Sequence, residues 1–285
     1  MKLWSRQTEI TFFEKALKKH APEKLFYALG EGFYAYVPKK VDGEGQTLQS
    51  RNSLIGTYTE EWCKAFFEPI AKDMGLFAVN GVVCEELGLT LRSSADLAFC
   101  ATPCTSQTPE NIKLLFEIKM SVISNYSYTG RGNIIFVGDY STHKGNPSLL
   151  RSDSMLKAIG KAINIRVSGY AASRIPIIVL GNSPITENYQ QKVDFLKKSG
   201  VIQGFWSLYP NPTTGHHIVS TSERGFQTFF DYNQVRKACN MLLDMEMYYF
   251  STMLSRDKLG EYIRVSSAGK TDVEKAEKFL ELIRS

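Results

Sequence analysis

Ser94-Ala95-Asp96-Leu97-Ala98-Phe99 and Leu114-Leu115-Phe116-Glu117-Ile118-Lys119-Met120-Ser121 are two short apolar runs, separated by residues 102–111, which carry two prolines and mostly polar side chains. Runs of this length, bounded by polar loops, read as strands. Side chains of a strand alternate between faces, so Glu117 and Lys119 point one way while Leu114, Phe116, Ile118 and Met120 point the other, into a core. Asp96 stands in the neighbouring run. Carboxylates and an ammonium gathered on one side of a sheet are costly to bury unless they pair or serve a purpose. Their chemistry is that of a cation site beside a fixed positive charge.

That set suits attack on a phosphodiester. The substrate is anionic and repels a nucleophile, and its leaving alkoxide is poor. Magnesium takes oxygen ligands, usually one or two carboxylates together with waters and a phosphate oxygen. Asp96 and Glu117 supply such carboxylates, and an ion held there lowers the pKa of a bound water and offsets charge on the leaving oxygen. Lys119, about 7 Å along the strand from Glu117, is placed to orient the water or to neutralise the transition state. Taken alone, a Glu-x-Lys is as readily a solvated surface hairpin. The apolar strand around it and the Asp in a second apolar strand favour the site.

Asp96, Glu117 and Lys119 resemble the motif of the PD-(D/E)XK nuclease superfamily, with Ala95 standing where the motif's name has Pro. The resemblance covers roughly residues 52–210, and within the superfamily the layout is most similar to a type II restriction endonuclease. It implies an α/β fold in which a mixed central sheet is flanked by helices, and a magnesium-dependent, sequence-specific cleavage of double-stranded DNA, with manganese expected to substitute. It also implies a homodimer, since two cuts in a palindrome suit two-fold symmetry; a cytoplasmic setting is expected separately, from an odd cysteine count and no secretory signal. Many restriction enzymes carry an acidic residue on the helix before the motif strands, and Glu60 matches that role by position.

The helical phase bears on Glu60 independently. Residues 57–74 place Trp62, Cys63, Phe66, Phe67, Ile70 and Met74 on one face. Glu61 then falls opposite that stripe, while Glu60 falls about 80° from its centre, at the edge of the buried face. Glu60 is therefore expected to look toward the sheet and Glu61 toward water. A Glu in the first helical turn is also favoured by the helix dipole alone, and both readings of Glu60 stand.

Length and composition fit a chain that buries a substantial core: 285 residues, 43% hydrophobic and 12% aromatic. A net charge of +5 is compatible with a polyanionic partner without requiring one. Residues 1–19 are amphipathic and hold no apolar run of signal-peptide length, and no stretch reaches the length of a membrane span. Cys63, Cys84, Cys100, Cys104 and Cys239 form an odd set in mostly apolar surroundings, as expected of reduced thiols. Cys100 and Cys104 lack a second Cys/His pair that would complete a zinc site. His216 and His217 read as part of a solvated turn.

The pattern divides the chain into an N-terminal helical and loop extension over residues 1–50, a core over 51–210, and a helical C-terminal extension over 211–285 packed on that core. Predicted elements are helices at 8–20, 57–74, 152–167, 186–199, 231–255 and 271–284, an extended segment at 77–87, and strands at 133–137, 175–180 and 201–208, beside the two motif strands. The helix at 152–167 is expected to bury Met155, Leu156, Ile159 and Ile163. The one at 231–255 reads as core through Met241, Leu242, Met245, Tyr248, Tyr249 and Met253. The last helix is apolar along Val273, Ala276, Phe279, Leu280 and Ile283. The C-terminal third is open to dimerisation, DNA contact or a bracing role.

DNA contacts are expected from polar loops beside the motif strands. Residues 121–131 offer Asn125, Tyr126, Tyr128 and Arg131. Residues 143–157 offer His143, Lys144, Asn146, Arg151, Ser152, Asp153 and Lys157. Asn, Arg and Asp suit base edges, whereas Lys144, Lys157 and Lys161 suit phosphates, which position without specifying. Ser152 is alternatively a helix cap. Two other readings accompany the restriction enzyme: a structure-specific repair or junction nuclease, and a non-enzymatic DNA-binding protein on a nuclease-like scaffold.

Overall fold

The chain runs α1 (Arg6–Leu17), β1 (Tyr27–Leu29), β2 (Gly32–Tyr34), α2 (Gln49–Asp73), β3 (Phe77–Val82), β4 (Ala95–Cys100), β5 (Ile112–Ile118), β6 (Asn125–Tyr128), β7 (Ile134–Gly138) and α3 (Ser152–Val167). It continues through β8 (Ile177–Gly181), α4 (Gln190–Lys198), β9 (Gly204–Ser207), β10 (Phe226–Thr228), α5 (Tyr232–Leu243), α6 (Arg256–Ser266) and α7 (Asp272–Arg284). This computed structural model describes residues 1–30, 32–42, 48–130, 132–212, 216–245, 247 and 255–284.

The fold is α/β, with a six-stranded mixed sheet in the order β10-β9-β8-β5-β4-β3. β3, β4 and β5 form an antiparallel meander, and β8, β9 and β10 follow β5 in parallel. A parallel step needs a crossover, which α3 provides between β5 and β8 and α4 between β8 and β9. Alternation then fills both faces. Leu97, Phe99, Leu114, Phe116, Ile178 and Leu180 join the core that holds Cys63, Phe66, Phe67 and Ile70 of α2. Ala98, Leu115, Ile177 and Val179 join the core that holds Met155, Ala158, Ala162 and Ile165 of α3. Full burial of each large apolar side chain stabilises by about 1.5–3 kcal/mol. The sheet is thereby pinned between α2 and α3, which sets the walls of the site.

Strands from both flanking regions join the sheets. β1 and β2 pair with β6 and β7 in a second, four-stranded antiparallel sheet, and α1, started by the Ser5 side chain accepting from the Thr8 N–H, buries Phe12 and Phe13 in the larger core. β10, from beyond residue 210, completes the central sheet. α2 begins at Gln49 rather than near residue 57, because the buried stripe continues backward through Thr59, Ile55 and Arg51. The Arg51 guanidinium is buried, donates to the Leu25 and Ala35 carbonyls and lies over the Tyr36 ring.

Other departures are local. Extension after β3 stops at Val82, and Glu85–Leu87 form a 3-10 turn. α3 keeps its expected bounds but faces the core through Met155, Ala158, Ala162 and Ile165, leaving Leu156 and Ile163 exposed. α5 ends at Leu243 and buries Val235, Cys239 and Leu242, whereas Met241 and Met245 are exposed and Tyr248, Tyr249 and Met253 lie outside the described residues. Val273 of α7 is exposed as well. Among the described residues, no helix is long and apolar enough to cross a membrane.

A buried carboxylate fastens α1 to the segment that follows β5. Glu9 accepts hydrogen bonds from Trp4 Nε1 (3.1 Å), the Ile123 N–H (2.6 Å), the Ser124 N–H (3.2 Å) and the Tyr126 hydroxyl (2.8 Å). Burial raises its pKa from 4.5 to about 7 against the pull of these donors. A carboxyl whose folded pKa lies above its unfolded value contributes stability that is complete below the unfolded value and is lost as pH rises through the folded one. The melting temperature of the wild type relative to Glu9→Gln is therefore expected to be highest below pH 4.5 and to fall as pH climbs through about 7. A difference that stays flat across that window would contradict this assignment.

Candidate active site

The register between β4 and β5 creates the site. Leu97 pairs with Phe116 and Ala98 with Leu115, so one further step sets Asp96 opposite Glu117, on the face toward α3. Like charges directly opposed across a strand pair are destabilising. On the other side of β4, the pairing of Asn80 with Leu97 and Val82 with Ala95 sets Gly81 opposite Asp96. Gly81 has φ +66°, a conformation that side-chain-bearing residues adopt only with strain, and no atom lies within 4 Å of where its Cβ would be. Asp96 consequently has an open flank.

Two ammonium groups meet the two carboxylates. Lys119 Nζ lies 2.5 Å from Glu117 Oε1 and 3.9 Å from Asp96 Oδ2. Lys161 Nζ, reaching in from α3, lies 2.5 Å from Glu117 Oε2 and 3.4 Å from Asp96 Oδ1, and donates to the Ser94 carbonyl at 2.7 Å. The Ile118 N–H fixes Asp96 by donating to Oδ2 at 2.7 Å, and the Ile118 carbonyl faces the same cluster, accepting from Lys119 Nζ at 3.3 Å. All four charged side chains are one-fifth exposed or less, so their charges interact through a lower effective dielectric, and more strongly, than on an open surface.

The electrostatics follow from this packing. Burial, reinforced by the Asp96 charge, raises the Glu117 pKa, and Lys119 and Lys161 offset part of that rise. Burial by itself would lower the Lys161 pKa, but Asp96 and Glu117 outweigh it and raise it. Glu60 is half-buried on α2 and Glu61 is exposed, the phase expected from the helical stripe. The Glu60 carboxyl is raised first by burial and next by the Asp96 charge, while its backbone carbonyl accepts from Asn80 Nδ2 at 3.1 Å. Glu60 thus stands at the edge of the cluster.

The strand end opens into a cavity of about 410 Å³ between α2 and the start of α3. Lys119 and Ser121 form part of its wall, with Asn52 and Gly56 on one side and Lys144, Asn146 and Arg151 on the other. Lys144 and Asn146 are exposed. Arg151 and Lys157 both pair with Asp153, at 3.3 and 3.1 Å, so Asp153 organises two cations at the rim. Ser152 is exposed and is the first residue of α3; Arg151 occupies the cap position, without a side-chain cap bond.

Three expected contact residues turn out to be interior. Asn125 is fully buried and accepts the Tyr36 N–H at 2.8 Å. Tyr126 is fully buried, with its hydroxyl on Glu9. His143 stacks on Tyr36 with ring centroids 4.0 Å apart, donates from Nε2 to the Ile123 carbonyl and accepts the Gly145 N–H at Nδ1. None of the three reaches solvent, so none is placed to touch a base; they hold the backbone between the two sheets. Arg131 lies outside the described residues. Conversely, Lys161, assigned to phosphate contact by its sequence position, stands inside the carboxylate cluster. Ala158 and Ala162, buried on the same helix, pack α3 against the sheet on this side.

Among the described residues there is no group of three or more His, Cys, Asp or Glu so placed as to hold a metal ion. The oxygen donors that converge are the Asp96 and Glu117 carboxylates and the Ile118 carbonyl. A hard cation that keeps several waters and takes only one or two carboxylates fits this set; a fully protein-ligated ion does not. Comparisons with protein-family models, with curated proteins and with solved structures find no match to this chain.

Burial lowers the His143 pKa from 6.5 to about 4. Stability from a group depressed in this way is present above its unfolded pKa and lost as pH falls through the folded one. The wild type is accordingly expected to lose melting temperature relative to His143→Gln as pH drops from 6.5 toward 4. An unchanged difference over that interval would show that His143 does not sit in this stack.

Proposed function

We propose that this chain is a magnesium-dependent nuclease that hydrolyses phosphodiester bonds of double-stranded DNA, and, within that class, a site-specific endonuclease of the type II restriction kind acting as a homodimer in the cytoplasm. The observation that carries the reading is the convergence of Asp96 and Glu117 from adjacent strands with Lys119 at the mouth of a cleft. It is also supported by the mixed sheet flanked by helices, the architecture implied by the resemblance to PD-(D/E)XK nucleases.

The chain's own groups have distinct tasks in this reading. Asp96, oriented by the Ile118 N–H, and Glu117 would hold magnesium together with the Ile118 carbonyl. Bound there, the ion supplies an activated water and offsets charge on the leaving oxygen. Lys119, whose ammonium is anchored by Glu117 and which forms part of the cleft wall, would stabilise negative charge that grows on the phosphoryl oxygens. Glu60, at the edge of the cluster, would hold a metal-bound water or a second ion, or would hydrogen-bond Lys119. At the rim, Asn146 and Arg151 suit base edges, and Lys144 and Lys157 suit phosphates. A protein that only binds DNA gains nothing from carboxylates aimed at an anionic backbone.

Asp96→Asn or Glu117→Gln is expected to abolish magnesium-dependent cleavage while DNA binding in a gel-shift assay persists, because removing a carboxylate charge also removes repulsion of phosphate. Calcium is expected to support binding without cutting, given its looser coordination. Near wild-type cleavage by either variant, or rapid cutting with calcium alone, would contradict the proposal. Glu60→Ala is expected to slow cleavage by roughly five- to hundredfold, equivalent to about 1–3 kcal/mol of barrier, with Glu61→Ala close to neutral. Equal, small effects at both positions would return Glu60 to a helix-terminus carboxylate.

A further inference from the structure

Lys161 reaches the charged cluster from helix α3 rather than from the strand pair. Its ammonium takes Glu117 Oε2 at 2.5 Å and Asp96 Oδ1 at 3.4 Å, with the Ser94 carbonyl at 2.7 Å as a third partner. The remaining carboxylate oxygens are engaged elsewhere, Glu117 Oε1 by Lys119 and Asp96 Oδ2 by the Ile118 N–H. Lys161 therefore bridges the two carboxylates at oxygens that, among the described residues, no other group donates to at hydrogen-bond distance. An ion drawing on both Asp96 and Glu117 has to compete for those oxygens.

We infer that Lys161 is a built-in counter-cation that competes with the divalent ion for Asp96 and Glu117, so that ion and nucleic acid bind cooperatively. The inference rests on the nuclease reading. Charge balance gives the direction of the coupling. Asp96 and Glu117 together carry two negative charges, which Lys119 and Lys161 cancel, and half-buried Glu60 adds at most one more from the edge. Arrival of a divalent cation leaves a surplus of positive charge in a mostly buried site, which is unfavourable without a compensating anion. An incoming phosphate diester supplies that anion. Lys161 has the flexible four-carbon stem needed to give up the carboxylates, and the Ser94 carbonyl remains as a partner that does not compete with the ion. The ion site is thereby held weak in the free protein and strengthened when substrate occupies the cleft.

Titration calorimetry of manganese into the full chain without DNA tests this directly. Lys161→Met is expected to bind manganese about tenfold more tightly than the wild type, since it removes a positive charge in contact with both carboxylates. Lys161→Arg, which keeps the charge, is expected to bind as weakly as the wild type, and Asp96→Asn to lose the site. Should Lys161→Met fail to fold by circular dichroism, Lys161→Gln, which retains a donor for the Ser94 carbonyl, carries the same expectation. Magnesium-dependent cleavage by the wild type together with equal or weaker manganese binding by the neutral variants overturns this inference and leaves the nuclease reading standing. Absence of ion binding in all variants and of cleavage in the wild type overturns both.

Discussion

Asp96 and Glu117 face each other from neighbouring strands, and two carboxylates at that spacing repel unless cations meet them. Much of the surrounding architecture answers this one repulsion. Lys119 folds back on Glu117 from the strand end, and Lys161 reaches across from α3 to touch both acids. Lys161 can do so because Ala158 and Ala162 pack α3 against the sheet through small side chains. Gly81 leaves Asp96 a flank free of side chain. The cluster is satisfied without an added ion, because each carboxylate meets both ammonium groups.

A second set of buried polar groups holds the chain where it leaves β5. Glu9 binds the Ile123 and Ser124 N–H groups, His143 binds the Ile123 carbonyl, and Tyr36 donates from its hydroxyl to the Val122 carbonyl at 2.6 Å. Arg51 in turn lies over the Tyr36 ring and ties it to the Leu25 and Ala35 carbonyls, to which it donates. Glu9 and His143 act on the same peptide, and their pH dependences run in opposite directions, because burial raises one pKa and lowers the other. The backbone from Val122 to Ser124 is thus clamped from α1 and from the segments that follow β2 and β7, close behind the wall of the cleft.

The sequence made legible what is encoded by local period. Alternation in residues 114–120 separated Glu117 and Lys119 from Phe116 and Ile118, and the stripe through Trp62, Phe66 and Ile70 separated Glu60 from Glu61. The partners of those groups across the fold were less accessible. Lys161 follows Lys157 on a helix in the spacing of an ordinary solvated face, so only its tertiary neighbours reveal it. Asn125, Tyr126 and His143 lie in stretches whose polarity suggested exposed loops; a polar side chain that satisfies a buried backbone group is indistinguishable, residue by residue, from one that faces water. β1 and β2 are three residues each, too short for alternation to register, which hid the second sheet and made the N-terminal segment look peripheral.

Digestion of a long DNA of mixed sequence by the purified chain, with magnesium and with a chelator in parallel, tests the central claim most directly. A small number of discrete fragments, formed only when magnesium is present, is the expected result. A featureless smear would keep the phosphodiesterase chemistry but contradict site-specific recognition. Intact DNA after prolonged incubation with magnesium would contradict the assignment of Asp96, Glu117 and Lys119 as a hydrolytic centre.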